Sequence, residues 1–359
     1  MLRHTGLLIT LFTILCVQQT CQGQSRKLKN VREQFLKEAE VQKVPSIDAI
    51  IWSPKDSLAI DYHNPDVLNI HEYGLGSTTK MLSAIVVMDL IERDSIDLEI
   101  PINYYLREQG REAWQGIKVK QLLNHTSGIV DYTRNPDWIK MVTAQQSPRT
   151  TQERLALVID SLSQPQGIFH YSNTNYVLLE LLIETITGDN YSIVFNDFFK
   201  QRDLDGIYLP TSIDSTQTFF AQDLTAVSNV TNTQEYYGYA GDARASPRDL
   251  LDLFKKLFID HSILKPETLQ LMQSWITMGT MTIQMDNAGI QNYGYGFMKL
   301  DFGDTQLLGH SGGTLKYQSF AFIDPATQTV IVAMTNASGA HYNNAFVQHL
   351  IPILLTAID

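Results

Sequence analysis

Gly74-Leu75-Gly76-Ser77-Thr78-Thr79-Lys80-Met81-Leu82-Ser83-Ala84-Ile85-Val86-Val87-Met88-Asp89-Leu90-Ile91 is a glycine-flanked turn that runs straight into a segment apolar on nearly every face. A helix that is apolar all round needs neighbours on every side, so residues 77–93 are predicted to form a central buried helix. Its first turn carries chemistry. Ser77 and Lys80 stand three residues apart and share one helical face, which brings the lysine amine within reach of the serine hydroxyl. A hydroxyl is a weak nucleophile until a base takes its proton, and lysine serves as that base only where burial or neighbouring charge lowers its pKa. A dry helix start supplies the burial. Its unpaired backbone N–H groups can also stabilise the oxyanion formed when Ser77 attacks a carbonyl. The tetrapeptide alone fits a capping serine followed by a solvated lysine better than it fits a catalytic pair. The chain holds its own control in Ser262-Ile263-Leu264-Lys265, which has the same spacing. There Pro266 pushes Lys265 out of helical geometry, and this copy is set aside.

Outward from the helix, residues 25–41 place Val31, Phe35, Leu36 and Ala39 at helical spacing and read as an amphipathic surface helix ended by Pro45. Two short strands, 46–52 and 57–62, flank the turn Ser53-Pro54-Lys55-Asp56. Residues 96–284 read mostly as helices joined by long loops, with a clear start at Ser246-Pro247-Arg248-Asp249. Residues 294–300, 318–323 and 329–335 are aromatic and β-branched runs divided by turns such as Asp324-Pro325, and 340–358 is an amphipathic helix. The expectation is an α/β (α+β) fold. An antiparallel sheet is flanked by N- and C-terminal helices in a lobe of residues 24–95 plus 285–359, and an all-helical lobe, 96–284, is inserted between.

The chain has 359 residues, 44% hydrophobic and 18% charged, enough apolar material for a large core. Its net charge of −11 is scattered, which argues against a nucleic-acid or anionic-membrane partner. Residues 1–23 read as a signal peptide. Arg3 and His4 precede an apolar run too short to span a bilayer, and the small residues Cys21 and Gly23 suggest cleavage after Gly23. The protein is therefore expected to be exported, periplasmic or secreted, with lipid attachment at Cys21 as the weaker alternative and no stable membrane span in the mature form. Cys16 and Cys21 are the only cysteines, so cleavage leaves neither a disulfide nor a thiol nucleophile. No His/Glu/Asp group shows metal-ligand spacing, and no cofactor is expected.

Two further elements complete a constellation. Tyr171-Ser172-Asn173 lies in a loop just before a helical run. Its decoys, Tyr62-His63-Asn64 and Tyr342-Asn343-Asn344, fall on a strand turn and in the terminal helix. A phenol beside an ammonium ionises more easily, so Lys80 and Tyr171 are candidates to share one proton. His310-Ser311-Gly312-Gly313 enters a late strand, where glycines let a substrate approach the backbone. Taken alone, each is an ordinary packed tyrosine or glycine-rich turn.

Serine-x-x-lysine, tyrosine-x-asparagine and histidine-x-glycine in this order resemble the penicillin-recognising serine hydrolases, in the branch of class C β-lactamases and D-alanyl-D-alanine carboxypeptidases. Leu122-Leu123-Asn124-His125-Thr126-Ser127-Gly128, Phe169-His170-Tyr171-Ser172-Asn173 and Ser246-Pro247-Arg248-Asp249 extend the likeness over most of residues 30–359. The resemblance implies a β-lactamase/transpeptidase-like fold with Ser77 as the acylated nucleophile and Lys80 and Tyr171 sharing the acid and base work. It implies that Asn173 binds a substrate amide, that His310, Ser311 and Gly312 line the pocket, and that the N–H groups of Ser77 and Gly313 form the oxyanion hole. His125 reads as structural. Histidine at 310, where β-lactamases of this class commonly have lysine, favours a peptidase-like or esterase-like hydrolase over a true class C β-lactamase. It also suggests a near-neutral titration at the site. Asn175 replaces a frequent glycine and is expected to tolerate positive φ. Lys316 replaces another, and is expected to add positive charge at the pocket rim. The implied substrate is a small molecule or peptide with an amide, β-lactam or ester carbonyl.

Two rival readings have specific content. Gly309-His310-Ser311-Gly312-Gly313 matches a nucleophile elbow with Asp324 and His341 downstream, but an elbow needs a helix after its serine and residues 316–323 read as strand. A non-catalytic homologue that binds penicillins or peptidoglycan is the other.

Overall fold

The computed structural model describes residues 24–358 apart from 65–70, 108–109, 145, 149, 160–161, 211–219, 223–226, 230–236 and 286. The expected signal peptide, with Cys16 and Cys21, lies outside the described residues.

Its centre is an antiparallel sheet. The N-terminal helix α1 (Arg26–Val41) leads into β1 (Ser46–Trp52) and β2 (Ser57–His63), and β3 (Tyr73–Gly74) precedes the buried helix α2 (Thr78–Glu92). Helix α3 (Asn173–Thr187) and strand β4 (Arg244–Ala245) follow. Then come β5 (Ile276–Thr277), β6 (Ile283–Met285), β7 (Ala288–Tyr293), β8 (Met298–Phe302), β9 (Thr305–Gly313), β10 (Gln318–Asp324) and β11 (Thr329–Thr335). The sheet order is β2-β1-β11-β10-β9-β8-β7-β5, with β6 also paired to β7. Strands from the two ends of the chain therefore meet at the β1–β11 pair, where Ala49 opposes Ala333. Every residue of β10 and β11 is buried, as a sheet covered on both faces demands.

One face of the sheet packs on α1 through Val31, Phe35 and Ala39 and on the C-terminal helix through Phe346, Leu350 and Leu354. The other face packs on α2, whose Met81, Leu82, Ile85 and Val86 belong to the core shared with the helical lobe. The C-terminal helix runs through Ala340–Asn344 and Ile351–Leu355, and its middle, Ala345–Leu350, widens into π-helical turns. Pro352 has no N–H to return to the preceding turn, which is a sufficient reason for the wider ladder.

Three expectations differ from the structure. The 96–284 stretch is not all-helical: Arg244–Ala245 pairs with Tyr73–Gly74, and Ile276–Thr277 and Ile283–Met285 join the edge of the main sheet. These runs of two or three residues are too short for a readable alternation. Residues 294–300 are not one strand, because a turn with Gly296 at φ +79° separates Tyr293 from Met298. Asn175 sits inside α3 with no positive φ. Among the described residues no helix is long and apolar enough to cross a membrane.

The contact that locates the site is backbone on backbone. The end of β9 lies against the start of α2 so closely that a Cβ added to Gly312 would stand 2.1 Å from the Leu75 carbonyl oxygen and 2.7 Å from the Ser77 nitrogen. One added to Gly76, at φ +51°, would stand 2.7 Å from the Gly313 nitrogen. Thr78 Oγ1 donates to the His310 carbonyl at 3.3 Å, and Ser319 Oγ donates to the Leu75 carbonyl at 2.6 Å. Gly312→Ala is expected to destabilise the protein by about 1–3 kcal/mol, because the obstructing atoms are backbone and cannot swing away. Urea unfolding of the two proteins measures it.

Candidate active site

Ser77 is the residue immediately before α2, and its side chain makes no helix-capping hydrogen bond. The capping alternative for this serine therefore fails. Its Oγ instead receives the Tyr171 hydroxyl at 2.8 Å and the Lys80 amine at 3.1 Å. Lys80 is fully buried, and its Nζ also donates to the Ala240 carbonyl at 2.6 Å. Burial brings the amine down to about 7, against the opposing pull of the Asp131 and Asp242 carboxylates. The decoy lysine shows the contrast. Lys265 has an extended backbone before Pro266, and Ser262 Oγ donates to the Lys256 carbonyl.

Tyr171 differs from the expectation of an easily ionised phenol. Desolvation pushes its hydroxyl well above the ordinary value, and the Ser77 hydrogen bond offsets only part of this. At neutral pH the proton stays on Tyr171, and Lys80 is the group able to be neutral. Tyr171 rests on a buried aromatic cluster, with the His125 ring centroid at 4.2 Å and the Tyr293 ring at 6.3 Å. His125 acts as structural support. Its Nδ1 accepts from the Ser172 N–H at 3.3 Å and from Asn175 Nδ2 at 3.0 Å, and Asn175 Oδ1 accepts from Ser127 Oγ at 2.6 Å. Asn175 thus trades the expected turn conformation for a buried bracing position beneath the Tyr171 loop.

Ser77 lines two cavities. The smaller, about 160 Å³, is lined by Ser77, Thr133, Asn173, Ala240 and Gly313 among others. Asn173 Nδ2 is held by Asp131 Oδ2 at 3.0 Å. The larger, about 320 Å³, shares Ser77 and Gly313 and adds Tyr171, Ser311 and Gly312 beside an apolar wall. Thr314 N–H donates to the Tyr317 carbonyl, and in an antiparallel ladder bonded pairs alternate, so the Gly313 N–H turns away from β10. The Ser77 and Gly313 nitrogens are thereby neighbours at the point where both cavities meet.

His310 does not line either cavity. It is buried on the face of β9 opposite Ser311, with Nδ1 on the Ser311 carbonyl at 2.6 Å and Nε2 on the Tyr293 hydroxyl at 2.9 Å. A carbonyl only accepts, so the proton sits on Nδ1 and Tyr293 donates to Nε2. Burial and the Lys80 charge hold this histidine down to about 3, which removes the expected neutral titration. Strand alternation is the cause: Ser311 and His310 point to opposite faces, and Ser311 takes the cavity side. Lys316 lies on the turn after Gly313, donates its N–H to Thr314 Oγ1 and is in neither cavity wall. The elbow alternative also fails in geometry. Ser311 Oγ meets Met298 Sδ, Asp324 binds Thr327 in a turn, and His341 meets the Gln42 carbonyl. Among the described residues Asp48, Asp61 and His71 bring three ligand atoms within 4.8 Å of one another, on β1, β2 and the segment before β3. None of the three lines a cavity that holds Ser77.

Sequence reasoning missed the brace behind Lys80. Glu180 of α3 is fully buried, accepts from the Tyr239 N–H and from Thr151 Oγ1, and pairs with the equally buried Arg154. It thereby holds the 238–240 turn whose last carbonyl receives Lys80. Ser83 Oγ ties the same turn to α2 by donating to the Tyr239 carbonyl, and Thr79 Oγ1 accepts from the Ala243 N–H just beyond it. The one legible signal was a glutamate in the middle of an apolar helical run. Arg154→Met alone strands the Glu180 carboxylate and is expected to cost about 3–5 kcal/mol, while Arg154→Met with Glu180→Met recovers most of it. Denaturant unfolding of the three proteins tests this.

A family model described as Beta-lactamase matches residues 71–350. The chain is 28% identical over 151 residues to penicillin-binding protein 4* of Bacillus subtilis, which covers 41% of this chain and 30% of that protein. It is 24% identical over 289 residues to protein flp of Staphylococcus aureus, covering 78% and 55% respectively. The chain thus spans about half or less of these curated relatives. In structure it resembles the D-amino acid amidase of Ochrobactrum anthropi SV3 complexed with L-phenylalanine amide, with a TM-score of 0.76, 19% identity and coverage of 92% and 98%. With the family model matching most of its length, the chain belongs to the beta-lactamase family.

Proposed function

We propose that the protein is a serine hydrolase that cleaves an amide or ester carbonyl through an acyl-enzyme on Ser77. One observation carries this reading. A single hydroxyl oxygen receives both a buried lysine whose amine is held near 7 and a tyrosine that keeps its proton. Neutral Lys80 donates one N–H to the Ala240 carbonyl and offers its lone pair to the Ser77 proton. As Ser77 Oγ bonds to the carbonyl carbon, that proton passes to Lys80, and the oxygen that becomes negative faces the Ser77 and Gly313 N–H groups. When the carbonyl–heteroatom bond breaks, the leaving atom takes the Tyr171 proton, and Lys80 returns one to Tyr171. Water then attacks the ester by the reverse path, releases the carboxylic acid and restores the Ser77 hydroxyl. Asn173, which lines the smaller cavity, is assigned to the acyl side of the substrate, and Ser311 and Gly312 to the opposite wall. The likeness to an amidase bound to an amino-acid amide supports amides among the substrates. The targeting pattern in residues 1–23 supports export.

Ser77→Ala is expected to abolish both fluorophosphonate labelling and turnover of p-nitrophenyl acetate; a labelled or active alanine variant would overturn the assignment. Comparing D-Ala-D-Ala peptides, nitrocefin and short esters then ranks the substrate classes.

The pH dependence follows from Lys80. Below about 7 the amine is protonated and cannot act as base, so kcat/KM rises with pH and levels off above it. His310→Asn should leave that midpoint in place, since His310 remains neutral throughout this range. A midpoint that moves with residue 310 instead of residue 80 contradicts the assignment.

A further inference from the structure

The larger cavity is unlike the smaller one in chemistry. Met278, Met281, Met285 and Met298 supply four of the chain's ten methionines to its wall, and Phe346 and Ile351 of the C-terminal helix close it. Among the described residues that line it, none is charged. Methionine is unbranched and polarisable, so such a wall adapts to apolar groups of varied shape. At about 320 Å³ the cavity is twice the roughly 150 Å³ apolar void that accommodates benzene.

Which part of the substrate enters is set by the proton it needs. A carbonyl carbon on Ser77 Oγ carries two substituents, an acyl chain and a leaving heteroatom, and two cavities meet at Ser77. The leaving atom must reach the Tyr171 hydroxyl, and Tyr171 belongs to the wall of the methionine cavity. Asn173 and Thr133 line the other cavity instead. From this arrangement we infer that the methionine cavity is the leaving-group subsite and that it takes an uncharged, apolar alcohol or amine.

This rests on the Ser77 hydrolase reading and narrows it. A leaving D-alanine, or the ring carboxylate of a β-lactam, would bring a carboxylate against a wall that offers no charge to pair with it, and each part of its hydration lost to that apolar wall goes uncompensated. The substrate class is therefore an ester or amide of a neutral apolar alcohol or amine. Carboxypeptidase and β-lactamase activities are secondary.

The test is a series of acetate esters that differ only in the alcohol: ethyl, butyl and hexyl acetate, and the acetate ester of 4-hydroxybutyrate as the charged counterpart of the butyl ester. The expected kcat/KM rises roughly fourfold per added methylene until the cavity is full. The carboxylated ester is expected to fall at least tenfold below butyl acetate. Met281→Arg, at a half-exposed position of the wall, should narrow that gap by lowering the butyl ester and raising the carboxylated one; fluorophosphonate labelling of Ser77 reports that the variant is folded. A flat or falling series, a carboxylated ester hydrolysed as well as butyl acetate, or no ester turnover by a protein whose Ser77 is labelled overturns the inference and leaves the nucleophile standing. Undiminished ester hydrolysis by Ser77→Ala overturns the hydrolase reading and this inference with it.

Discussion

An ammonium cannot be surrounded by apolar side chains and one carbonyl without giving up part of its hold on the proton. That constraint, applied to Lys80, is what the rest of the structure serves. Helix α2 is buried from Thr78 to Asp89, so the lysine three residues after Ser77 is itself fully buried. Desolvation then does what no neighbouring charge does here, since Asp131 and Asp242 pull in the other direction. The remaining polar need of the amine is met by the Ala240 carbonyl, and the Arg154–Glu180 pair holds the turn that presents it. A base that works near neutrality is thus a property of a helix position, a turn and a buried ion pair together.

The nucleophile is positioned by a second constraint, the approach of β9 to the start of α2 at a distance only glycine permits. Gly312 and Gly76 remove the side chains that would hold the two segments apart. Close approach makes neighbours of the Ser77 and Gly313 N–H groups, one at a helix start and the other on a strand edge turned away from its partner. Fixed donors of this kind need no rearrangement as negative charge develops on a substrate oxygen. The same seam joins the sheet to α2, so the packing of the buried helix on the sheet and the reaction centre coincide.

Much of this was legible from residue patterns. The all-round apolar run of 77–93 announced a buried helix, and proline at 266 told the true Ser-x-x-Lys pair from its copy. The paired strands read as 46–52, 57–62, 318–323 and 329–335 were readable to within one residue because their alternation or continuous apolarity is strong. What failed was illegible for definite reasons. His310 and Ser311 are adjacent, and which of them faces a cavity depends on strand phase, which a glycine-rich sequence leaves open. Tyr171 was expected to ionise beside an ammonium, but its own desolvation is the larger effect, and burial of one hydroxyl is a tertiary quantity. Glu180 sits in an apolar helical run, where its partner Arg154 lies on a different helix, so nothing local shows that the two meet.

The two cavities follow from how the chain supplies their walls. The smaller one is lined by Ser77 and Gly313 themselves and by Thr133, Asn173 and Ala240, the last of which receives Lys80, so changes there disturb the reaction centre itself. The larger cavity is built from the β5–β8 end of the sheet, from Gln318, Ser319 and Phe320 of β10 and from Phe346, Val347 and Ile351 of the C-terminal helix. Those elements meet the chemistry where Tyr293 of β7 packs on Tyr171 and where β8 pairs with β9. At the rim of this wall Met281 is 38% exposed, whereas every residue of α2 from Thr78 to Asp89 is buried, so the rim has room for exchange that the helix lacks. A fold arranged in this way keeps the proton-transfer groups fixed while the group it releases is chosen by replaceable side chains, and in this chain those side chains are methionines.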